Sequence, residues 1–189
     1  MPHREYDKYN QGDIHWQWYH NLPSYFDLVN YTLAPFKAAE LGTMVDVGAG
    51  DGLPLSFLDK WGFKCAAVEP SYEGVDLAMK HNVSAEFFVE KAEKFAEREM
   101  DFDYLYSLNT IEHLDEPKAM VAIMRRIRRF GIIVTDNDET SDPVKRSQYH
   151  EMQFTPATFE ALFAEFNFEQ LQLPSICSSF MAYKIWKKI

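Results

Sequence analysis

The chain has 189 residues, of which 47% are hydrophobic and 15% aromatic, and its formal net charge at pH 7 is −10. This composition is typical of one globular domain and excludes a disordered, collagen-like or long coiled-coil protein. The acidic surplus disfavours long nucleic acid as a partner, because that binding depends on basic contacts to phosphates.

The cysteine content and the length of the apolar runs indicate in which cellular compartment the protein is expected. Two cysteines, Cys65 and Cys177, are too few for a disulfide framework and indicate a reducing environment. No apolar run approaches the roughly 20 residues that cross a bilayer. The first ten residues are polar and do not resemble a signal peptide. We therefore expect a cytoplasmic protein that does not enter a membrane.

Residues 1–21, called here the aromatic arm, contain many aromatic and polar side chains but no clear helical or strand periodicity. We expect it to pack on the domain. A helix is predicted from Pro23 to Glu40, divided at Pro35. Beyond residue 41, short apolar strands alternate with helices. The predicted strands are 44–47, 65–68, 85–89, 104–108, 131–135, 168–173 and 180–187. The predicted helices are 53–61, 73–81, 93–99, 118–130 and one that begins at Thr155-Pro156 with Phe166 on its buried stripe.

Alternation of strands and helices predicts a parallel sheet covered by helices on both faces. The last two strands have no helix between them, which indicates an antiparallel pair. We therefore predict a single three-layer α/β domain whose seven-stranded sheet is mostly parallel and has an antiparallel last strand. Residues 1–40 add an N-terminal arm and helix to the same domain, and residues 41–189 form its main body.

The strongest motif is VDVGAGDG, in which Gly48, Gly50 and Gly52 follow a predicted strand and precede a helix. Glycines allow a tight turn and the close approach of a ligand to the backbone, and the helix start offers free N–H groups. A dinucleotide fingerprint would need glycine at position 53, where Leu53 stands. This disfavours an NAD-dependent oxidoreductase, the first alternative function.

Two carboxylates specify the ligand further. Asp46 lies on the strand before the turn, where it would repel a pyrophosphate but suit an ammonium or sulfonium group. Glu69 ends the second strand, where a carboxylate accepts two hydrogen bonds from a ribose diol. The pair predicts a ligand with positive charge at one end and a ribose beyond it.

Five segments in order resemble S-adenosylmethionine-dependent methyltransferases of the Rossmann-like, small-molecule type. They are VDVGAGDG, AAVEP, FDYLYSLNTIEHLDEP, RRFGIIVTDND and QFTPATFEALFAEFNFEQLQL. The resemblance covers residues 41–189 and implies methyl transfer to an oxygen or nitrogen of a small molecule, with S-adenosylhomocysteine as product. It implies these cofactor-binding residues: Asp46, Gly48, Ala49, Gly50, Gly52, Glu69, Pro70, Ala92 and Asn109. Lys91 replaces the acid that often binds adenine in this family, so adenine recognition is assigned to the backbone near Ala92 or to Glu90.

Catalysis is assigned to Glu112 and His113, in the loop after the fourth strand, and to His150, with a histidine as the base. In one alternative these residues only hold the loop, and Asp115 caps the next helix. In another they surround a divalent metal with Asn109, as in the small-RNA and ubiquinone-pathway O-methyltransferases that this pattern resembles. Because Asn109 replaces the first Glu of that pattern, no metal-binding residue is assigned.

The segment after the fifth predicted strand, Asp136-Asn137-Asp138, resembles a catechol-type magnesium site but lacks a partner Asp at the end of the fourth strand. The rings of Trp16, Trp18 and Tyr19 form either a lid over the cofactor, where cation–π attraction suits a sulfonium, or a cover for the edge of the sheet. A methyltransferase-like scaffold without catalytic activity is the second alternative function.

Overall fold

The computed structural model describes residues 4–141 and 150–188. Its strands are β1 (Thr43–Val47), β2 (Lys64–Val68), β3 (Ala85–Phe88), β4 (Phe102–Leu108), β5 (Ile127–Asp136), β6 (Phe166–Gln170) and β7 (Phe180–Lys187). Its helices are α1 (Ile14–Asn21), α2 (Pro23–Lys37), α3 (Leu53–Lys60), α4 (Tyr72–Lys80), α5 (Ala92–Phe95), α6 (Lys118–Met124) and α7 (Pro156–Leu162). Short 3₁₀ helices span Arg4–Gln11, Ile111–His113 and Ser175–Cys177.

One sheet of seven strands carries the domain, in the order β3-β2-β1-β4-β5-β7-β6. The pairs among β1 to β5 are parallel, and β7 is antiparallel to both of its neighbours, β5 and β6. This confirms the predicted α/β fold with an antiparallel last strand. The strand order reverses between β1 and β4, and ligands of such sheets bind at the carboxyl ends of the strands beside this reversal.

Side chains alternate between the two faces of the sheet, as a strand covered on both sides requires. Tyr104 and Tyr106 of β4 belong to the core that α2, α3 and α4 cover. Leu105, between them, belongs to the core beneath α5, α6 and α7. The domain therefore has three layers, with helices on both faces of the sheet.

Four predicted helix boundaries are wrong, and the first is that of α5, which ends at Phe95 rather than at residue 99. Helix α2 continues through Pro35 to Lys37, because a proline in the last turn removes little of the helical hydrogen bonding. Helix α6 ends at Met124, and Ile127 instead pairs with Phe102 in the sheet. Phe166 begins β6 rather than extending α7. Ile127 and Phe166 are both buried, so their positions fit the apolar pattern of a helix. In the structure both residues instead pair with neighbouring strands of the sheet.

Both cysteines are free thiols; Cys177 is buried and Cys65 is half-buried. Across residues 4–141 and 150–188, every helix is too short or too polar to cross a membrane.

Candidate active site

The glycine turn between β1 and α3 has a left-handed backbone that requires glycine at three positions. Gly48, Gly50 and Gly52 have φ of +81°, +54° and +76°, in the left-handed region that favours glycine. Protein side chains, however, fill the space that side chains at these positions would need. A Cβ at Gly48 would overlap Thr110, and one at Gly50 would lie 2.6 Å from the Tyr9 hydroxyl. The turn is thus tightly enclosed by the loop after β4 and by the aromatic arm.

Asp46 lies in β1 with 1% of its surface exposed. Its Oδ2 has no hydrogen-bond partner among the described residues. Burial, reinforced by the negative charge of Glu69, raises the pKa of Asp46 from 3.8 to about 8. A buried carboxyl without a full set of partners is costly, and a cationic group placed beside it would offset that cost.

Glu69 stands at the end of β2, next to the turn that follows β1. Its Oε2 accepts a hydrogen bond from the backbone N–H of Gly50 at 2.9 Å, and its Oε1 accepts one from the Ser71 N–H at 2.9 Å. Ser71 in turn caps α4 by accepting a hydrogen bond from the Gly74 N–H. Glu69 therefore joins the glycine turn to the start of α4, with Pro70 between. Because a carboxylate oxygen can accept more than one hydrogen bond, these contacts are compatible with a ligand at the same group.

The predicted adenine end contains two ion pairs. Lys91 Nζ donates to Asp115 Oδ2 at 2.7 Å, and Arg98 Nη2 donates to Glu90 Oε2 at 3.1 Å. The N-cap of α6 is Pro117 rather than Asp115. Ala92, the first residue of α5, is buried. Since Lys91 and Glu90 both have partners, backbone near Ala92 stays the better of the two predicted contacts for adenine.

The aromatic arm reaches the glycine turn through two residues, His15 and Trp16. The His15 backbone N–H donates to Asp51 Oδ2 at 2.8 Å, and His15 Nδ1 lies 3.0 Å from Asp51 Oδ1. Trp16 Nε1 donates to the Asp51 carbonyl at 3.1 Å. No pattern in the sequence indicated that His15 or Asp51 would take part in this contact.

The two remaining rings of the predicted lid lie in different places. Trp18 packs edge-on against His15 and Tyr25, close to the turn. Tyr19 instead contacts Phe26 and Phe57, on α2 and α3. Trp16 and Trp18 therefore lie on the side of the arm that faces the turn, whereas Tyr19 packs between helices.

The catalytic residues predicted from the sequence come together beyond β4. One ligand-type atom from each of Glu112, His113 and His150 lies within 4.8 Å of the others. The rings of His113 and His150 are 4.7 Å apart between centroids and nearly perpendicular. The Glu112 carbonyl accepts hydrogen bonds from the backbone N–H groups of Glu151 and Met152, which holds the His150 segment against this loop.

Glu112 is buried, with 1% of its surface exposed, and neither carboxylate oxygen has a hydrogen bond of good geometry to a described residue. Burial raises its pKa to about 8, and the charge of Asp136 adds to that rise. His150 Nε2 lies 3.8 Å from Asp136 Oδ2. A small cleft lined by Glu112, Asp136, Asp138 and His150 opens at this point. The catalytic cluster and the Asp136–Asp138 segment therefore share one cleft, although the sequence suggested two separate sites.

Asn109, the remaining predicted cofactor contact, follows β4 at φ +49°. Its backbone N–H donates to the Val134 carbonyl at 2.9 Å. Its side-chain Oδ1 is buried without a partner among the described residues. The residue thus has an unused hydrogen-bond acceptor one position before Thr110, which covers Gly48, as expected of a ligand contact.

Comparisons with known proteins agree with this geometry. Residues 17–173 match a family model described as a methyltransferase domain. The DhpI–SAH complex superposes with a TM-score of 0.72 at 14% identity, covering 96% of this chain and 94% of that one. Magnesium protoporphyrin IX methyltransferase from Synechocystis PCC 6803 with bound SAH gives 0.66 at 13% identity, covering 85% and 80%. The small RNA methyltransferase HEN1 gives 0.70 at 19% identity, covering 89% of this chain and 26% of that one.

A search of curated protein sequences gives no significant match. The structural neighbours are too distant in sequence to show more than the Rossmann-like fold, but the family match spans most of the chain. The chain therefore belongs to the methyltransferase-domain family and is an S-adenosylmethionine-dependent methyltransferase.

Proposed function

We propose that the protein methylates an oxygen or nitrogen of a small molecule, with S-adenosylmethionine as donor. The observation that carries this proposal is the cluster of Glu112, His113 and His150 beside the cofactor turn. The loop of the cluster packs directly on the turn, since Thr110, two residues before Glu112, fills the space above Gly48. This contact brings the loop of the proposed proton acceptor close to the turn that is proposed to hold the methyl donor.

The cofactor is assigned to the turn by chemistry. Asp46 pairs with the ammonium group of the methionine moiety, and Glu69 binds the ribose hydroxyls. Asn109 accepts a hydrogen bond from the methionine moiety, and the glycines let it approach the backbone of the turn closely because they have no side chains. Pro70 and the backbone near Ala92 contact the adenine end.

Methyl transfer then needs positioning and one proton acceptor. The acceptor's oxygen or nitrogen forms a bond to the methyl carbon while the carbon–sulfur bond breaks and its electron pair stays on sulfur. His113 or His150 takes the proton that the acceptor loses. Glu112 lies close to both imidazoles, with a carboxylate oxygen within 4.8 Å of a ring nitrogen of each.

A small acceptor is supported by the surface charge. Three of the four arginines around α6 and β5 are paired with carboxylates: Arg125 with Glu165, Arg128 with Asp101 and Arg129 with Glu40. This run therefore offers little unpaired positive charge to a phosphate backbone, in a chain whose net charge is −10. The names of the structural neighbours include both a porphyrin and a small RNA as acceptors, so fold alone does not choose between them.

Residues 1–40 are proposed to belong to the same domain and to act as its lid. The support is that the arm contacts the glycine turn through His15 and Trp16, while α2 packs Leu28, Leu33 and Phe36 into the main core.

The test is turnover of labelled S-adenosylmethionine with a panel of small alcohols, phenols, carboxylic acids and amines, and with small RNA. We expect a small acceptor to be methylated, and His113→Ala and His150→Ala to lower kcat by about 100-fold or more while leaving the affinity for S-adenosylhomocysteine unchanged. His20→Ala, an exposed histidine on α1, is the control. Methylation of RNA alone would refute the acceptor class, and cofactor binding without turnover on any acceptor would favour the scaffold alternative.

A divalent cation is the second candidate for the same cluster, and the residues fit it. Two imidazoles and a buried carboxylate whose oxygens lack well-formed hydrogen bonds are a chemically suitable donor set. When bound, such an ion would lower the pKa of an acceptor hydroxyl. Dialysis against a chelator separates the two candidates: activity that survives chelation supports a histidine base, and activity lost on chelation and restored by Mg²⁺ or Mn²⁺ supports the ion.

A further inference from the structure

Asp51 follows Gly50 in the glycine turn, and its carboxylate is completely buried. Both carboxylate oxygens interact with His15, which lies 36 residues earlier in the chain. The Asp51 carbonyl receives the indole N–H of Trp16 as well. One residue of the cofactor turn thus makes three polar contacts with two consecutive residues of the aromatic arm.

The same part of the arm lies directly on the turn. Because Gly50 has no side chain, the arm can approach its backbone closely. The Tyr9 hydroxyl and the His15 ring both lie within 3.0 Å of the position that a Cβ of residue 50 would occupy. Tyr9 and Tyr25 are both buried here, and the His15 ring contacts both of them. The arm therefore covers the turn that the proposed function assigns to the methionine end of the cofactor.

A second attachment lies at the end of α4. Trp16 stacks on His81 with ring centroids 4.0 Å apart, and His81 Nε2 lies 2.9 Å from Asp13 Oδ2. Glu69 connects the start of α4 to Gly50. The arm is therefore attached both to the turn and to the helix that follows the proposed ribose site.

Apart from these contacts, helix α1 is held by Tyr19, which packs on Phe26 and Phe57 and accepts a hydrogen bond from Asn30. None of its eight residues is buried, and Trp18 is 37% exposed. A segment that buries no residue of its own opens at low cost compared with the core. Its position consequently depends on the few polar and ring contacts described above.

We propose that the His15–Asp51 contact is a latch that retains the cofactor: while it is closed, the arm confines the cofactor on the glycine turn, and cofactor release requires it to open. This inference rests on the proposed function, because it places the cofactor at Asp46 and Glu69. His15 and Trp16 act on the cofactor through the arm and are positioning residues.

The test measures the dissociation rate of tritiated S-adenosylhomocysteine from the full chain after rapid dilution into unlabelled ligand. His15→Phe keeps an aromatic ring but removes the contact of Nδ1 with Asp51, and His15→Asn keeps a polar group near that atom. His20→Phe makes the same chemical change at an exposed position on the same helix. We expect His15→Phe to accelerate dissociation about tenfold or more, from the loss of a charge-assisted hydrogen bond, with the Asn variant close to wild type and His20→Phe unchanged.

Tryptic cleavage after Lys8 gives a second readout. We expect S-adenosylhomocysteine to slow this cleavage in the wild type but not in His15→Phe. If His15→Phe does not fold, Trp16→Phe replaces it: it removes the indole hydrogen bond to Asp51 and reduces the ring that stacks on His81, but leaves both His15 contacts in place, so it should accelerate dissociation by a smaller factor. Equal dissociation rates for the variants at positions 15 and 20, or cleavage indifferent to ligand, would overturn the latch. Failure of the wild type to bind S-adenosylhomocysteine would instead overturn the cofactor assignment on which the latch depends.

Discussion

The carboxyl group of Asp46 gives the sharpest test of the cofactor assignment, because its protonation changes with both folding and binding. Its pKa is raised from 3.8 to about 8 by burial and by the charge of Glu69. Between about pH 4 and pH 8 the folded chain therefore holds a proton that the unfolded chain has released. The contribution of Asp46 to the free energy of unfolding falls across this window as the pH rises. At about 1.4 kcal/mol for each pH unit, the fall amounts to roughly 6 kcal/mol.

Cofactor binding should reverse this protonation. An ammonium group beside Asp46 favours the ionised carboxylate, so binding near pH 7 should release the proton. Affinity for S-adenosylhomocysteine should then rise by up to about tenfold for each pH unit until about pH 8. Asp46→Asn keeps the shape of the side chain but cannot ionise. We expect it to weaken binding at pH 8 by about 10- to 100-fold and to raise the stability of the free protein at that pH.

Calorimetric titration in two buffers of different protonation enthalpy counts the protons released, and urea unfolding at pH 6 and pH 8 measures stability. At pH 6 the amino group of the free ligand is already protonated, so the difference in proton release between wild type and Asp46→Asn at that pH isolates the carboxyl group. If both proteins release the same number of protons and show the same pH dependence of unfolding, Asp46 is not the buried acid that receives the cofactor.

Three further substitutions test the rest of the site. Gly48→Ala should lower the free energy of unfolding by about 2–4 kcal/mol in urea, because φ at this position is +81° and the new Cβ would overlap Thr110. Gly131→Ala is the control and should lower it by less, because its φ is ordinary and its Cβ would meet the movable end of the Met124 side chain. Glu69→Gln should weaken S-adenosylhomocysteine binding about tenfold in calorimetry, since one oxygen becomes a donor facing the Gly50 or Ser71 N–H, and unchanged affinity would remove Glu69 from the ribose site. Glu112→Gln should lower kcat by less than about tenfold if a histidine acts as the base without a metal, because the carboxylate makes no well-formed hydrogen bond to a described residue that the amide would lose. A loss beyond about 100-fold would favour the metal candidate, because an amide is a poorer ligand.

Much of the fold could be predicted because local patterns determine it. The strand before the glycine turn and the strand ending in Glu69 pair in parallel, with Val47 opposite Val68. Parallel strands bring their carboxyl ends to one edge of the sheet, so Asp46 and Glu69 could be placed together from sequence alone. The helix and strand boundaries near Ile127 could not be predicted from sequence. A buried residue fits both the helical and the strand periodicity, and the pairing of Ile127 with Phe102 joins residues far apart in the chain.

The contact between the arm and the turn illustrates what local patterns miss. His15 and Asp51 are 36 residues apart, and the arm has no hydrophobic period to indicate which side chains face the domain. The abundance of rings did predict that the arm would pack on the domain, and it does. The three-dimensional placement identifies Asp51, rather than a ring, as the residue that receives the polar contacts of the arm.

The glycine turn also contacts the loop that carries the proposed catalytic cluster. Its glycines suggested space for a ligand, but the position above Gly48 is filled by Thr110. Thr110 belongs to the loop that carries Glu112 and His113, so the turn and the loop of the catalytic cluster pack directly against each other. A side chain at position 48 would displace that loop along with the cofactor turn. The loss of activity in Gly48→Ala should therefore exceed its loss of cofactor affinity, because the substitution moves the proton acceptor as well as the methyl donor.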